Sequence, residues 1–218
     1  MKKNMPKLPP FLERLDKSFE VFIDNIKAAE KTAETYHFSN ISLADKDFSK
    51  VDFQNVLFDN CKLTDCDFTK SSFVNVLFKN CNFAGTCFEN VYMKSCAFCQ
   101  SKLTGLSAVQ SLFQECCFED CHLKYAGFGG AKLLKCSMTH CNLQESDFSE
   151  ACLKAVEAEQ TDFESANFFK ASLNGIDFST SFISGIILSK EISELKGVTL
   201  NTAQACEIAK FLGIKIVP

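Results

Sequence analysis

Tryptophan is absent from the sequence, and tyrosine and histidine occur only three times each. The aromatic content is instead almost all phenylalanine, 23 residues, which points to one structural position filled repeatedly. No apolar run approaches the roughly 20 residues that a membrane-spanning helix needs. Basic charge is not in excess. The formal net charge is −4, which argues against sequence-independent nucleic-acid binding through a basic face. Residues 1–10 are polar and broken by proline, unlike a secretory leader. The thirteen cysteines are therefore expected to be reduced thiols in the cytoplasm rather than a disulfide framework.

What the sequence does contain is a period of five. Counting in fives from Phe38 gives Leu43, Phe48, Phe53, Phe58, Leu63, Phe68, Phe73 and Phe78, and the series continues to Phe178 and Leu188. It covers 31 positions without a slip, of which 17 are Phe and 9 are Leu; only Ala108 and Ala158 are small. Two residues before each lies a second set, mostly Cys, Ala, Ser, Val or Thr. Five fits neither the 3.6 of an α-helix nor the alternation of a strand; it requires a chain that turns a corner every five residues. The segment Asn55 to Cys61 recurs almost unchanged as Asn75 to Cys81, twenty residues on. Four pentapeptides thus make one coil with four faces, and each residue stacks on the one twenty further along, about 4.8 Å away.

Stretches such as Cys66-Asp-Phe-Thr-Lys, Ala131-Lys-Leu-Leu-Lys and Ala166-Asn-Phe-Phe-Lys resemble the A-(D/N)-(L/F)-x-x unit of pentapeptide-repeat proteins. The resemblance covers about residues 41–190. It implies an all-β solenoid, a right-handed quadrilateral parallel β-helix of about eight coils.

A repeat stack must cover its ends. Between Pro10 and Thr35, Phe11, Leu15, Phe19, Phe22, Ile23 and Ile26 have helical spacing, which predicts an N-terminal amphipathic α-helix capping the first coil, with Pro9 and Pro10 at its start. Tyr36 and Lys46 fit the small inward slot poorly, so the first coil is expected to be irregular. After Leu188, residues 200–213 predict a short α-helix with Asn201 or Thr202 as its N-cap and Gly213 as its stop. Residues 214–217 are expected to form a short final strand. The expected organisation is thus an N-terminal segment (1–35), a β-helix (36–190) and a C-terminal module (191–218). The last resembles the C-terminus of the Qnr-like quinolone-resistance branch of the family in Gram-positive bacteria. That resemblance implies a homodimer through Ala205, Ile208, Ala209, Phe211, Leu212, Ile214 and Ile216.

The repeat leaves little room for catalysis. His37, His122 and His140 fall at outward positions on different coils, and neither a phosphate-binding glycine loop nor a paired-carboxylate cleft can be read. We expect no enzyme activity, no metal and no cofactor. Cys61, Cys66, Cys81, Cys96, Cys116, Cys121, Cys136 and Cys141 occupy the inward small slot. They read as small hydrophobes, since no inward His or carboxylate completes a ligand set; a metal or redox role for the stacked thiols ranks last. Cys87, Cys99, Cys117 and Cys152 point outward. Around the small central Ala108, either Leu106 trades volume with it or residues 105–112 bulge outward as a loop.

Function must then lie on the surface. The first face, centred on Phe38, Phe58 and Phe78, carries Asp59, Glu119, Asp120, Glu157, Glu159 and Asp177 against Lys79 alone. The second carries Asp45, Asp65, Glu145, Asp162 and Glu164 against Lys62, Lys102 and Lys124. The third face balances, and the fourth is mildly basic. Residues 111–190 hold eleven acids against six lysines. The Qnr-like resemblance implies a DNA mimic that binds DNA gyrase and topoisomerase IV and lessens quinolone action. It assigns that role to Asp59, Glu119, Asp120, Glu145, Glu157, Glu159, Asp162, Glu164 and Asp177. No direct nucleic-acid or membrane contact is expected. The competing reading is a rigid scaffold that binds another bacterial protein through the outward Leu57, Leu77 and Phe169.

Overall fold

The computed structural model describes residues 5–15 and 18–217; Met1 to Asn4, part of the expected N-terminal segment, lie outside the described residues. The chain winds into a parallel β-solenoid of about seven turns, a right-handed quadrilateral β-helix. A two-residue strand β1 (Glu13–Arg14) and helix α1 (Phe19–Ala28) precede β2 (Thr32–Glu34) and β3 (Tyr36–Ser39). Three-residue strands then recur in register at intervals of twenty. Phe38 sits over Phe58 and Phe58 over Phe78.

The four faces are not equivalent. The first builds an eight-stranded parallel sheet and the fourth a seven-stranded one. The second and third are mostly single bridges between turns, such as Asp67↔Cys87 and Asn82↔Lys102. There an Asp or Asn just before the central residue accepts from the amide two residues on. Asp67 Oδ1 accepts from Thr69 N at 2.7 Å, Asn142 Oδ1 from Gln144 N at 3.0 Å and Asn167 Oδ1 from Phe169 N at 3.0 Å. This local turn competes with strand pairing and explains why the repeat unit favours Asp or Asn at that position. The four corners have a second rule. From Asn40 to Lys170 nearly every fifth residue has a φ between about +50° and +70°, a conformation that β-branched residues avoid. Those positions carry Asn, Asp, Gly, Lys, Glu and similar residues, and none is Val, Ile or Thr.

The interior is a stack of rings. Phe98 and Phe118 lie 5.2 Å apart with planes 2° from parallel, and Phe68 and Phe88 lie 5.1 Å apart at 9°. Neighbouring columns meet edge to face, as Phe78 does with Phe83. Each buried ring contributes about 1.5–3 kcal/mol of transfer free energy, and the offset contacts add about 0.5–1.5 kcal/mol. The inward thiols are hydrogen-bonded as well as packed: Cys61 Sγ donates to Phe38 O at 3.4 Å and Cys96 Sγ to Phe73 O at 3.3 Å. Serine does the same in that slot, Ser111 Oγ donating to Phe88 O at 2.7 Å. The slot therefore takes a small donor such as Cys or Ser as readily as the Ala and Val that fill it elsewhere. At Ala108 the path does not bulge. Ser107 bridges both Cys87 and Gly127, Leu106 is buried, and a void of about 10 Å³ remains among Phe88, Phe128 and their neighbours.

Both ends differ in detail from the sequence expectation. The N-terminal helix is confined to Phe19–Ala28. Phe11 lies outside it and is 77% exposed, because Glu13 and Arg14 instead pair with Tyr36 and His37 at the edge of the first sheet, and Pro9 and Pro10 hold the preceding chain extended. Within α1, Phe19 wedges edge-on against Phe38 and Phe48, while Ile23 is fully buried. Tyr36 stacks on Phe38, and Lys46 turns out to meet Glu20 at 2.8 Å. The parallel stack also begins one pentapeptide before Phe38, with Ala33 buried and β2 paired to Asp52–Gln54.

At the other end α2 (Thr202–Phe211) is capped by Asn201, whose Oδ1 accepts from Gln204 N while Gln204 Oε1 accepts from Asn201 N. Residues 214–217 do not form the expected strand. Among the described residues they have no ladder partner, because the last coil is already closed by other groups. Gln204 Nε2 donates to Phe178 O and Ser181 O, and Glu194 accepts from Lys170 N and Ser189 N.

Candidate interaction faces

The outward residues of the first face form two columns, one on each side of the buried central residues. The column that follows them runs Asp59, Lys79, Cys99, Glu119, Thr139, Glu159. Glu119 and Glu159 thus share a line two coils apart, about 10 Å at the usual strand spacing. Asp59 is separated from them by Lys79 and Cys99 and lies opposite His37, whose Nε2 is 3.8 Å from Asp59 Oδ2. It does not join the cluster. Glu157 lies level with Glu159 on the same strand, and both are exposed. Asp120 occupies the next corner with a φ of 55° and meets His140 Nδ1 at 3.5 Å.

The second face brings a smaller group together. Gln144 Nε2 donates to Asp162 Oδ2 at 2.8 Å and to Glu164 Oε2 at 3.2 Å, and Glu164 N donates to Asp162 Oδ1. Glu145 pairs with Lys124 at 3.0 Å. Asp177, on the last coil, accepts from Ser179, which lowers its pKa below the ordinary carboxylate value. The structure therefore groups Glu119, Asp120, Glu157 and Glu159 on one face and Glu145, Asp162 and Glu164 on the next, all toward the C-terminal end.

The other column of the first face departs from the expectation of an outward Leu57 and Leu77. Leu57 and Leu77 are half-buried, Ala97 and Cys117 are buried, and Glu157 and Asp177 are exposed. The cover is the N-terminal arm. Asn75 Nδ2 donates to Lys7 O at 2.9 Å, and Cys117 Sγ lies 3.7 Å from Met5 Sδ. Cys117, read from sequence as an outward thiol, is thus buried, and burial pushes its pKa up to about 12. The signal for the arm was present in Pro6, Pro9 and Pro10, which favour an extended, non-helical chain.

The thiol stacks have the electrostatics of a dry interior. Burial pushes Cys116 well above the ordinary thiol value, and the hydrogen bond that Cys81 donates to Cys61, together with burial, raises Cys81. All thirteen cysteines are free, and no group of three or more His, Cys, Asp or Glu among the described residues is arranged to hold a metal ion. None of the described helices is long and apolar enough to cross a membrane.

Comparison with known families gives a match to the pentapeptide repeat region over residues 31–108 and 111–188. The chain belongs to the pentapeptide-repeat family. No curated protein sequence matches this pentapeptide-repeat protein. Among solved structures it is similar to a trypsin-treated variant of QnrB1, a plasmid-mediated fluoroquinolone resistance protein, at 18% identity and a TM-score of 0.49, covering 94% of this chain and 96% of that one. It is also similar to HetL, a pentapeptide-repeat protein involved in heterocyst differentiation regulation in a Nostoc cyanobacterium, at 16% identity and a TM-score of 0.38, covering 82% and 95%. Full-length QnrB1 matches at 17% identity and a TM-score of 0.29, covering 82% of this chain and all of that one.

Proposed function

We propose that this pentapeptide-repeat protein is a non-enzymatic, cytoplasmic partner of type II topoisomerases, DNA gyrase or topoisomerase IV, that lessens quinolone action by presenting acidic faces to the groove that holds DNA. The observation carrying this reading is the grouping of Glu119, Asp120, Glu157 and Glu159 beside Glu145, Asp162 and Glu164 on adjacent faces of a stiff rod. Fixed carboxylates on a rigid scaffold attract a cationic groove without the cost of ordering a flexible chain. A homodimer through the C-terminal module is part of the same proposal. Phe211, Leu212, Ile214 and Ile216 are exposed at that end, and joining two copies there brings their acidic halves together at the centre of one long rod.

The test is a supercoiling assay with purified gyrase and ciprofloxacin, repeated with topoisomerase IV. Restored supercoiling that is lost when Glu157, Glu159, Asp162 and Glu164 are together changed to Lys supports the proposal. Neither protection nor inhibition with either enzyme overturns it. A second reading, a scaffold for a different protein, is favoured by the exposed Phe169, Phe182 and Ile187 near the last coils.

A further inference from the structure

Two surfaces of the solenoid carry opposite charge beside exposed apolar groups. On the fourth face, the outward residues before the central ones run Tyr92, Leu112, Lys132, Cys152, and those after them run Lys94, Gln114, Leu134, Lys154. Leu112 and Leu134 are half-buried and lie diagonally on neighbouring strands, while Lys132 and Lys154 are exposed beside them. The second face bears the complement. Phe182 is 65% exposed and stands directly over Asp162, one coil earlier. Glu164 shares that coil and is joined to Asp162 through Gln144, and Glu207 of α2 lines the same cleft as Phe182. The fold does not call for Phe182, because the same outward position holds Lys, Asn, His or Asp on earlier coils. A large ring left in solvent above two carboxylates is a feature of the surface, not of the core.

We infer that the fourth face of one copy binds the second face of another, with Phe182 seated on Leu112 and Leu134 while Asp162 and Glu164 meet Lys132 and Lys154. The spacings match because one fold sets both. Phe182 and Asp162 are one coil apart, and so are Leu112 and Lys132, about 4.8 Å in each case. With two rods antiparallel, Phe182 of one copy lies level with Leu112 of the other, and Asp162 lies level with Lys132. Apolar groups within a charged rim are the general form of a protein–protein contact. The second and fourth faces are opposite sides of the square coil, so each copy keeps one unused patch of each kind. The contact is therefore heterologous and adds copies in a row instead of closing on a pair. It is separate from the C-terminal dimer and does not depend on the topoisomerase reading. Assembly also withdraws Asp162 and Glu164 from any other partner.

The experiment is sedimentation velocity of the full chain over a range of concentrations, at about 50 and about 300 mM salt. At low salt the average mass is expected to grow with concentration beyond that of a dimer. At the higher salt the dissociation constant is expected to rise about tenfold. Two charge-reversed proteins, Lys132→Glu with Lys154→Glu and Asp162→Lys with Glu164→Lys, each place like charges on both patches and should not assemble alone. Mixed in equal amounts they again present opposite charges, and assembly should return. Circular dichroism checks that both keep the native fold. Phe182→Ser leaves every charge in place and is expected to weaken assembly about tenfold. An average mass that never exceeds a dimer overturns the inference. So does assembly that survives in either charge-reversed protein, or that fails to return in the mixture. Growth that disappears with Phe211→Ser and Leu212→Ser, but not with Phe182→Ser, belongs to the C-terminal end and also overturns it.

Discussion

Glu194 Oε1 accepts a 2.7 Å hydrogen bond from the backbone N–H of Lys170, twenty-four residues earlier, and another at 3.0 Å from Ser189 N. Ser189 Oγ donates to the second carboxylate oxygen at 2.9 Å. A buried side chain thus stands where a further coil would have supplied carbonyls. Gln204 does the converse, giving its amide hydrogens to the carbonyls of Phe178 and Ser181. Together they close the C-terminal edge with side chains instead of a strand, so the ladder ends without an open template.

That arrangement has a pH signature. Burial acts to raise the Glu194 pKa, but the hydrogen bonds it accepts outweigh this and hold it below the ordinary value. A depressed carboxylate stabilises the fold above its unfolded pKa, about 4.3, and loses that contribution as pH falls through the folded value. The Glu194→Gln variant is expected to unfold about 1–3 kcal/mol more easily at neutral pH, because the amide leaves buried donors poorly matched. The gap between variant and native protein should narrow as thermal melts are taken below about pH 4. A gap independent of pH would remove the charge from the explanation.

Ala108 stands between Phe88 and Phe128 in its column, and the small void among these rings makes an opposite prediction. Filling it with Ala108→Val is expected to add about 0.5–2 kcal/mol in denaturant melts, since two methyl groups gain contacts with Phe88 and Phe128. Ala108→Phe restores the residue common in the repeat but overfills a space that the neighbouring rings already share, and is expected to cost about 1–3 kcal/mol.

At Ala155 the corner rule predicts a gain from glycine. Its φ is +54° and its side chain is exposed, so little packing is lost when the Cβ is removed. Ala155→Gly is expected to stabilise by about 1 kcal/mol, the reverse of the usual penalty for introducing glycine. Thermal unfolding checks the sign directly.

Much of this architecture could be read without coordinates. A side chain that must point inward every five residues leaves its mark wherever it occurs, so the columns from Phe38 to Leu188 and the small slot beside them were plain. The ends were not, because they depend on single contacts with no period. Nothing in the spacing of Glu194 or Gln204 marks either as an edge cap, and Phe11 satisfied a helical pattern that the pairing of Glu13 with Tyr36 overrode. The corner rule leaves its own mark, since Asn40, Asp45, Asn55, Asn60 and Asp65 repeat at the same step of five. For the acidic faces, the sequence sorted residues into the correct columns but could not reveal that Lys79 and Cys99 isolate Asp59, or that the chain's own arm lies on the first face.

Charge density decides how the proposed topoisomerase complex should respond to salt. Residues 111–190 hold eleven acids against six lysines over four coils, about 19 Å of rise at the usual strand spacing. That is roughly one net charge per 4 Å, whereas duplex DNA carries one per ~1.7 Å. Affinity for gyrase is therefore expected to fall as salt rises from about 50 to about 200 mM, but less than the 10³–10⁵ typical of a DNA complex with many phosphate contacts. Changing Glu157, Glu159, Asp162 and Glu164 to Lys should weaken binding and flatten that salt response together. Binding that ignores both salt and the four substitutions would shift the contact to an apolar surface such as Phe169, Phe182 and Ile187, where burial rather than charge supplies the free energy.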